Sequence, residues 1–231
     1  MYAARRGDLE RLQYLLKRGS NPNFSQTNGW TALHHSCEQG SLPCVTSLID
    51  KRAHLNVFTN ERLSPLTLAC SKGHTDVVSL LLLSNGADPD CGRTKDGGTA
   101  LHWASTHGHL PLVRQLIDAG ASVAATRSLS RFTPLMLASS NGHLAVCREL
   151  LSHSDVNINA CTYPEGVTSL MLASEKGHPD IVRELIQRGA FAGATTRRGD
   201  TALSIARHMY QPVGSPAAAV TALLLPLTPP T

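Results

Sequence analysis

The residues best suited to chemistry in this chain are its 11 histidines and 6 cysteines. In the segment GTALHWASTHGHL, residues 98–110, three histidines lie close to one tryptophan. Imidazole and thiolate side chains bind zinc, and both serve in acid–base or nucleophilic catalysis. The first question is whether these side chains could converge on one metal ion or one substrate.

The histidines recur at a fixed interval along the chain. His34 and His102 occupy one place in a repeating unit, and a second place directly follows a glycine. That second place holds His74, His109, His143 and His178. A zinc site needs ligands within about 2.0–2.3 Å of the ion, whereas packed helices lie about 8–10 Å apart. Histidines one repeat apart therefore cannot share an ion, and we predict no metal site.

The other motifs of catalysis are missing from the sequence. It contains no Gly-x-Ser-x-Gly, no phosphate-binding P-loop and no Gly-x-Gly-x-x-Gly after a strand. The cysteines form no Cys-x-x-Cys pair, which favours free thiols in a reducing, intracellular compartment, cytoplasmic or nuclear. They are Cys37, Cys44, Cys70, Cys91, Cys147 and Cys161. We therefore predict no catalytic residue, no cofactor and no enzymatic activity.

A longer motif explains the interval. Hydroxyl residues followed by a leucine two positions later are separated by 33, 35, 34, 35 and 33 residues. They are Thr31, Ser64, Thr99, Thr133, Thr168 and Thr201. A regular period of this length is typical of repeat proteins, in which each unit packs on its neighbours.

Each unit carries the pattern of two helices. The hydroxyl residue can cap a first helix, and a glycine such as Gly40 can end it in a left-handed conformation. A second helix has apolar residues at i, i+1, i+4 and i+5, as in Leu112, Val113, Leu116 and Ile117. Gly, Asn, Asp and Ser between units predict turns and short extended fingers.

These motifs resemble the ankyrin repeat. The similar segments are Thr-Ala-Leu-His at 31–34 and 99–102, Thr-Pro-Leu at 133–135, the Gly-His pairs, and Gly-Ala-Asp at 86–88. The resemblance implies an all-α solenoid of stacked helix–turn–helix units with short β-hairpin-like fingers. It also implies that the recurrent histidines hydrogen-bond to the backbone between units.

The resemblance covers residues 1–209, which we predict to be one repeat array. The predicted divisions are a partial repeat at 1–23, repeats at about 26–58, 59–93, 94–127, 128–162 and 163–195, a degenerate capping repeat at 196–225, and a proline-rich loose tail at 226–231.

Charge and hydropathy narrow the range of partners. The formal net charge is +4 without a run of like charges, so no nucleic acid is expected as a partner. The longest strongly apolar run, 217–227, is shorter than the about 20 residues that span a bilayer. We predict a monomeric module without membrane insertion.

The candidates for function are the side chains whose types do not recur with the repeat period. They fall at the ends of the first helices and in the fingers, which the resemblance places along a concave, partner-binding face. The candidates are Trp30, Glu38, Gln39, Leu63, Lys72, Lys95, Asp96, His107, Phe132, Asn141, Glu175 and Lys176. Trp30 and Phe132 could each anchor a partner or pack on the adjacent finger. The resemblance also implies hydroxylation of Asn23 and Asn56.

The predicted function is that of a non-catalytic protein–protein interaction module, a scaffold or adaptor that binds a protein or peptide on its concave face. The alternative is the substrate-targeting part of a larger enzyme or of a ubiquitin-ligase adaptor.

Overall fold

The computed structural model describes residues 1–83, 86–91, 96–208 and 215–227. Within these ranges the chain forms fourteen α-helices and one short 3-10 helix, Leu225–Leu227, and its β-structure is limited to two isolated bridges. The fold is all-α, as the sequence predicts. The α-helices are α1 (Tyr2–Arg6), α2 (Leu9–Lys17), α3 (Ala32–Gln39), α4 (Leu42–Asp50), α5 (Pro65–Lys72), α6 (Thr75–Leu83), α7 (Ala100–Thr106), α8 (Leu110–Asp118), α9 (Pro134–Ser140), α10 (Leu144–Leu151), α11 (Ser169–Glu175), α12 (Pro179–Gln187), α13 (Ala202–His208) and α14 (Pro216–Leu224).

The first helices begin where the hydroxyl residues predict. The side chain of Thr31 accepts a hydrogen bond from the His34 amide at the start of α3, and Ser64 does the same for Thr67 in α5. Thr133, Thr168 and Thr201 cap α9, α11 and α13 in this way. Each cap satisfies a backbone amide that the first helical turn leaves free.

The glycines that end the first helices leave room for histidines of the next repeat. Gly40 has a φ of 71°, and a Cβ atom there would lie 2.5 Å from Nδ1 of His74. The His74 ring takes this space and its Nε2 donates to the Glu38 carbonyl oxygen over 3.0 Å. Gly108 faces His143 in the same way. The glycine of one repeat and the histidine of the next therefore pack and hydrogen-bond across the contact between successive repeats.

The substitution Gly40→Ala is expected to destabilise the protein more than Gly19→Ala. Both glycines have positive φ, which costs a residue with a Cβ about 1 kcal/mol. Nothing lies within 4 Å of a Cβ at Gly19. Alanine at position 40 also displaces the His74 ring and breaks its hydrogen bond, which lowers the free energy of unfolding by about 1 kcal/mol more. Urea unfolding would measure the difference. Equal losses in the two variants would mean that His74 contributes nothing to repeat packing.

The apolar stripe of each second helix forms the core. The first, second and third stripe positions are buried, and the fourth is half-buried. The buried sets are Cys44, Val45 and Leu48; Val77, Val78 and Leu81; Leu112, Val113 and Leu116; Val146, Cys147 and Leu150; and Ile181, Val182 and Leu185. This confirms the face that the 3.6-residue period assigns to these helices. Trp103 of α7 is half-buried.

The chain divides into two compact units. Unit 1 comprises Met1–Ala104 and Pro111–Ser122, and unit 2 comprises Ser105–Leu110 and Val123 onward. In unit 1, α3 packs on α1 and α5. In unit 2, α11 packs on α9 and α13, and α14 packs on α12 and α13. The repeat boundaries given above stay predictions, and the last four residues of the predicted tail lie outside the described ranges.

Candidate functional site

An open cleft of about 620 Å³ lies in unit 1 between α1, the first finger and α3. Its lining residues are Met1, Tyr2, Arg5, Gln26, Asn28, Trp30, His35 and Glu38. Trp30 and Glu38 are both predicted partner contacts, so the structure brings two of the candidates together here. We call this site the Trp30 cleft.

A tight hairpin fixes the finger that carries Trp30. The Gln26 amide donates to the Trp30 carbonyl oxygen over 2.9 Å, and the Asn28 side chain accepts from the Trp30 amide over 3.1 Å. Gly29 completes the turn with a φ of 80°, and the Asn60 amide of the next finger donates to the Asn28 carbonyl over 2.9 Å. The backbone at Trp30 is therefore held by its own turn and by a neighbouring finger.

The Trp30 side chain packs on α3 and lines the cleft. Its ring centroid lies 4.7 Å from that of His35 and 5.9 Å from that of His34. The side chain is half-buried, so the two imidazoles support part of the indole while the rest faces solvent. Such a supported aromatic loses little side-chain entropy on binding.

His35 lines the cleft beside Trp30. Burial lowers the pKa of its imidazole, and the nearby Glu38 carboxylate opposes that shift in part. The side chain is 9% exposed, and its Nε2 donates to the Gln26 amide oxygen over 3.3 Å. Its Nδ1 is buried without a hydrogen-bond partner among the described residues. The cleft therefore offers the aromatic rings of Tyr2 and Trp30, two amides, and the opposite charges of Arg5 and Glu38.

The other candidates of unit 1 lie outside the Trp30 cleft. Gln39 and Lys72 are exposed, and Leu63 and Asp96 are half-buried. The Leu63 carbonyl accepts from Nε2 of His34 over 3.1 Å, which makes the backbone of Leu63 part of the scaffold. Asp96 accepts from the Gly98 amide within its own turn. Lys95 lies outside the described residues.

The remaining candidates belong to unit 2. His107 is exposed and stacks on His109 with ring centroids 5.8 Å apart, and Asn141 donates its side-chain amide to the Leu137 carbonyl over 2.8 Å. Glu175 and Lys176 form an ion pair at 3.0 Å. The half-buried Phe132 accepts at its carbonyl from the Arg127 amide over 3.0 Å. The eleven candidates that the structure describes thus fall into groups on different units.

Sequence reasoning missed Tyr2, Gln26 and His35 as cleft residues. His35 had a signal that could have found it. The equivalent positions in later repeats hold apolar side chains, namely Leu68, Trp103, Leu137 and Leu172. A polar residue at an otherwise apolar position marks a local departure from the scaffold.

Four of the recurrent histidines, His34, His74, His143 and His178, hydrogen-bond to the backbone of a neighbouring repeat, as the resemblance implies. His143 Nε2 donates to the Thr106 carbonyl over 2.9 Å, and His178 Nε2 donates to the Ser140 carbonyl over 3.2 Å. Among the residues that the structure describes, no group of three or more His, Cys, Asp or Glu side chains could hold a metal ion.

Asn23 and Asn56 each bridge two successive loops. The His54 amide donates to the side-chain oxygen of Asn23 over 2.7 Å, and the Asp88 amide donates to that of Asn56 over 3.0 Å. Their side-chain nitrogens donate to the carbonyls of Arg52 and Gly86. These bonds give both asparagines a structural role, and their hydroxylation stays a prediction.

Capped helix pairs recur along the chain, and hairpin fingers and bridged loops link them. This arrangement defines a helical-repeat solenoid. The sequence pattern described as "Ankyrin repeats (3 copies)" matches residues 1–93 and 80–162, and "Ankyrin repeats (many copies)" matches residues 150–206. The chain therefore belongs to the ankyrin-repeat family, whose repeats are protein-interaction modules.

Similar proteins support this assignment. The chain is 32% identical over 121 residues to the probable E3 ubiquitin-protein ligase XBOS32 of Oryza sativa subsp. japonica, covering 50% of this chain and 23% of that protein. It is 34% identical over 91 residues to human ankyrin repeat and SOCS box protein 3, covering 38% and 17%. The chain thus spans less than a quarter of these two relatives.

A solved structure shows the same fold over the full chain. The ankyrin repeat domain of human ASB11 matches with a TM-score of 0.83 at 24% identity, covering 100% of this chain and 97% of that domain. Within the described residues of our structure, no helix has the length and apolar character needed to cross a membrane.

Proposed function

We propose that this chain is a non-catalytic interaction module that binds a protein or peptide partner on its concave face, with the Trp30 cleft as the principal contact of unit 1. The observation that carries the proposal is the half-buried Trp30 ring, which lines an open cleft beside Arg5 and Glu38. Tryptophan and arginine are enriched among the residues that dominate interface energetics.

The chemistry of the cleft favours a peptide over a polyanion. Arg5 and Glu38 present one charge of each sign, and Gln26 and Asn28 supply amide groups that can pair with a peptide backbone. A phosphate-tracking groove would instead carry several lysines and arginines. We accordingly propose a partner of mixed charge, and a monomeric module without affinity for nucleic acid.

The same lining supports a non-catalytic role. It contains no serine, threonine or cysteine that could act as a nucleophile. His35 would be the general base of such a site, yet its Nε2 is bonded to Gln26 and its Nδ1 is buried. A base must reach the proton that it abstracts.

Trp30→Ala is expected to weaken partner binding by at least about tenfold, because loss of a central aromatic contact costs about 2 kcal/mol or more. Peptides selected on the wild-type protein from a random library would be titrated against the variant by fluorescence anisotropy. Tyr14→Ala is the matched control, since Tyr14 is an exposed aromatic of unit 1 outside the cleft lining. Phe132→Ala, measured in parallel, tests the second predicted anchor.

Circular dichroism would establish that Trp30→Ala keeps its helices. Equal affinity of wild type and Trp30→Ala for every selected peptide, with Tyr14→Ala also unchanged, would remove the cleft as the principal contact.

The alternative function, as the targeting part of a larger enzyme or of a ubiquitin-ligase adaptor, stays a prediction. One relative is named as a probable E3 ubiquitin-protein ligase and another as an ankyrin repeat and SOCS box protein, but the matches cover 23% and 17% of those proteins. Nothing in the described structure favours this alternative over simple partner binding.

A further inference from the structure

Three finger tips of unit 2 form one connected surface. Their hairpins are closed by amide-to-carbonyl bonds from Arg127 to Phe132 (3.0 Å), from Thr162 to Val167 (2.9 Å), and from Thr196 to Asp200 (2.9 Å). Two further bonds link the tips. The Tyr163 amide donates to the Ser130 carbonyl over 3.0 Å, and the Arg197 amide donates to the Glu165 carbonyl over 2.8 Å. We call this surface the tip patch, formed by Leu129, Arg131, Tyr163, Glu165, Arg197 and Arg198.

Two large apolar side chains stand exposed on the tip patch. Leu129 is 74% exposed and Tyr163 is 64% exposed, and the linking bond between residues 130 and 163 places their backbones on neighbouring tips. These two tips are one residue longer than the tips of unit 1, because the closing bonds span five residues here and four from Gln26 to Trp30 and from Thr59 to Leu63. Exposed apolar side chains that gather in one place mark an interaction surface.

The charge beside these apolar side chains is mainly positive. Arg131, Arg197 and Arg198 are exposed, and none of them forms an ion pair with a described residue. One exposed carboxylate, that of Glu165, stands against the three guanidinium groups. The Trp30 cleft has no such excess of one charge.

Arg131 occupies a strained position. Its φ is 56°, whereas the equivalent places in four other fingers hold Gly29, Gly97, Gly166 and Gly199, each with positive φ. A left-handed conformation costs a residue with a Cβ about 1–2 kcal/mol. The turn would therefore form more easily with glycine. The equivalent Arg62 of unit 1 has a φ of 63°, so what distinguishes Arg131 is its place on the tip patch with Arg197 and Arg198.

We propose that the tip patch binds an acidic peptide segment that carries one bulky apolar residue. The apolar residue packs against Leu129 and Tyr163, and flanking carboxylates accept paired hydrogen bonds from the guanidinium groups of Arg131, Arg197 and Arg198. Arginine suits this role because its planar donors match both oxygens of a carboxylate. The proposal concerns a second surface and stands whether or not the Trp30 cleft binds a partner.

A synthetic fluorescein-labelled peptide of glutamates around one central leucine is the probe. In fluorescence anisotropy at low salt, Arg131→Gly and Tyr163→Ala should each weaken its binding by about tenfold. Arg62→Gly is the matched control, because Arg62 is exposed with a φ of 63° on a finger of unit 1. Thermal unfolding separates binding from folding, since Arg131→Gly should keep or raise the melting temperature while it weakens binding.

The specificity of the probe is tested with two altered peptides. Lysine in place of every glutamate should abolish binding, and serine in place of the central leucine should weaken it. Equal binding of the probe to wild type, Arg131→Gly and Tyr163→Ala would overturn the proposal. Displacement of the probe by oligothymidylate with equal affinity would overturn it in favour of a nucleic-acid surface.

Discussion

Leu116→Ala is expected to lower the free energy of unfolding of unit 1 by roughly 2–5 kcal/mol. Leu116 is fully buried on α8 with Leu112 and Val113, on the stripe that faces the core. Truncation removes apolar area from the core and leaves a cavity that close-packed neighbours fill only in part.

Tryptophan fluorescence during urea unfolding would measure this loss. Both tryptophans of the chain, Trp30 and Trp103, belong to unit 1, so their emission follows that unit. Leu83→Ala is the matched control, because Leu83 is 79% exposed on α6 and should change stability by less than about 0.5 kcal/mol. An unchanged midpoint for Leu116→Ala would mean that the buried face of α8 is wrongly assigned.

The scaffold could be predicted from the sequence because the same physical demand recurs in every unit. Several first helices are capped by a residue such as Thr31, and several close approaches pair a glycine such as Gly40 with an imidazole such as His74. A residue type that is needed at the same place in several repeats is visible as a sequence period, even where one copy alone would be ambiguous.

The Trp30 cleft could be predicted only in part, because it depends on residues that occur once. Trp30 and Glu38 stand out as departures from the period, whereas Gln26 matters through a contact with His35 that only the folded finger creates. A binding site assembled from α1, one finger and α3 has no repeated copy against which its members can be compared. The division into two units likewise leaves no trace in the period.

The tip patch could also be predicted only in part from the sequence. Leu129 and Arg197 could be assigned to fingers from the sequence, but their place on one surface follows from backbone bonds between fingers. The left-handed conformation of Arg131 leaves a signal only in the repeat register, because four equivalent places hold Gly29, Gly97, Gly166 and Gly199.

Unit 1 is expected to lose stability as the pH falls, because His34 is buried in its neutral form. Burial lowers the pKa of His34 from 6.5 to about 4, against the opposing effect of the Leu63 carbonyl. Its Nδ1 accepts from the Thr31 amide over 3.1 Å and its Nε2 donates to Leu63 over 3.1 Å. A proton added at Nδ1 would remove the acceptor that caps α3.

The direction of this dependence follows from proton linkage. Between pH 6.5 and about 4 the unfolded chain binds a proton at His34 that the folded chain does not, so acid favours unfolding. The stabilisation is complete above pH 6.5, falls by about 2 kcal/mol by about pH 5, and falls by about 3 kcal/mol in full below the folded pKa.

Comparison with His34→Gln isolates this contribution. Glutamine can donate to the Leu63 carbonyl but does not titrate, and every other histidine and carboxylate is present in both chains, so their effects cancel to first order. Urea unfolding at a series of pH values, followed by tryptophan emission, should show wild type more stable than the variant at neutral pH. The gap should shrink by about 3 kcal/mol towards pH 4. A gap that stays constant over this range would mean that His34 is not held neutral, and that the bond from Thr31 to its Nδ1 does not order the start of α3.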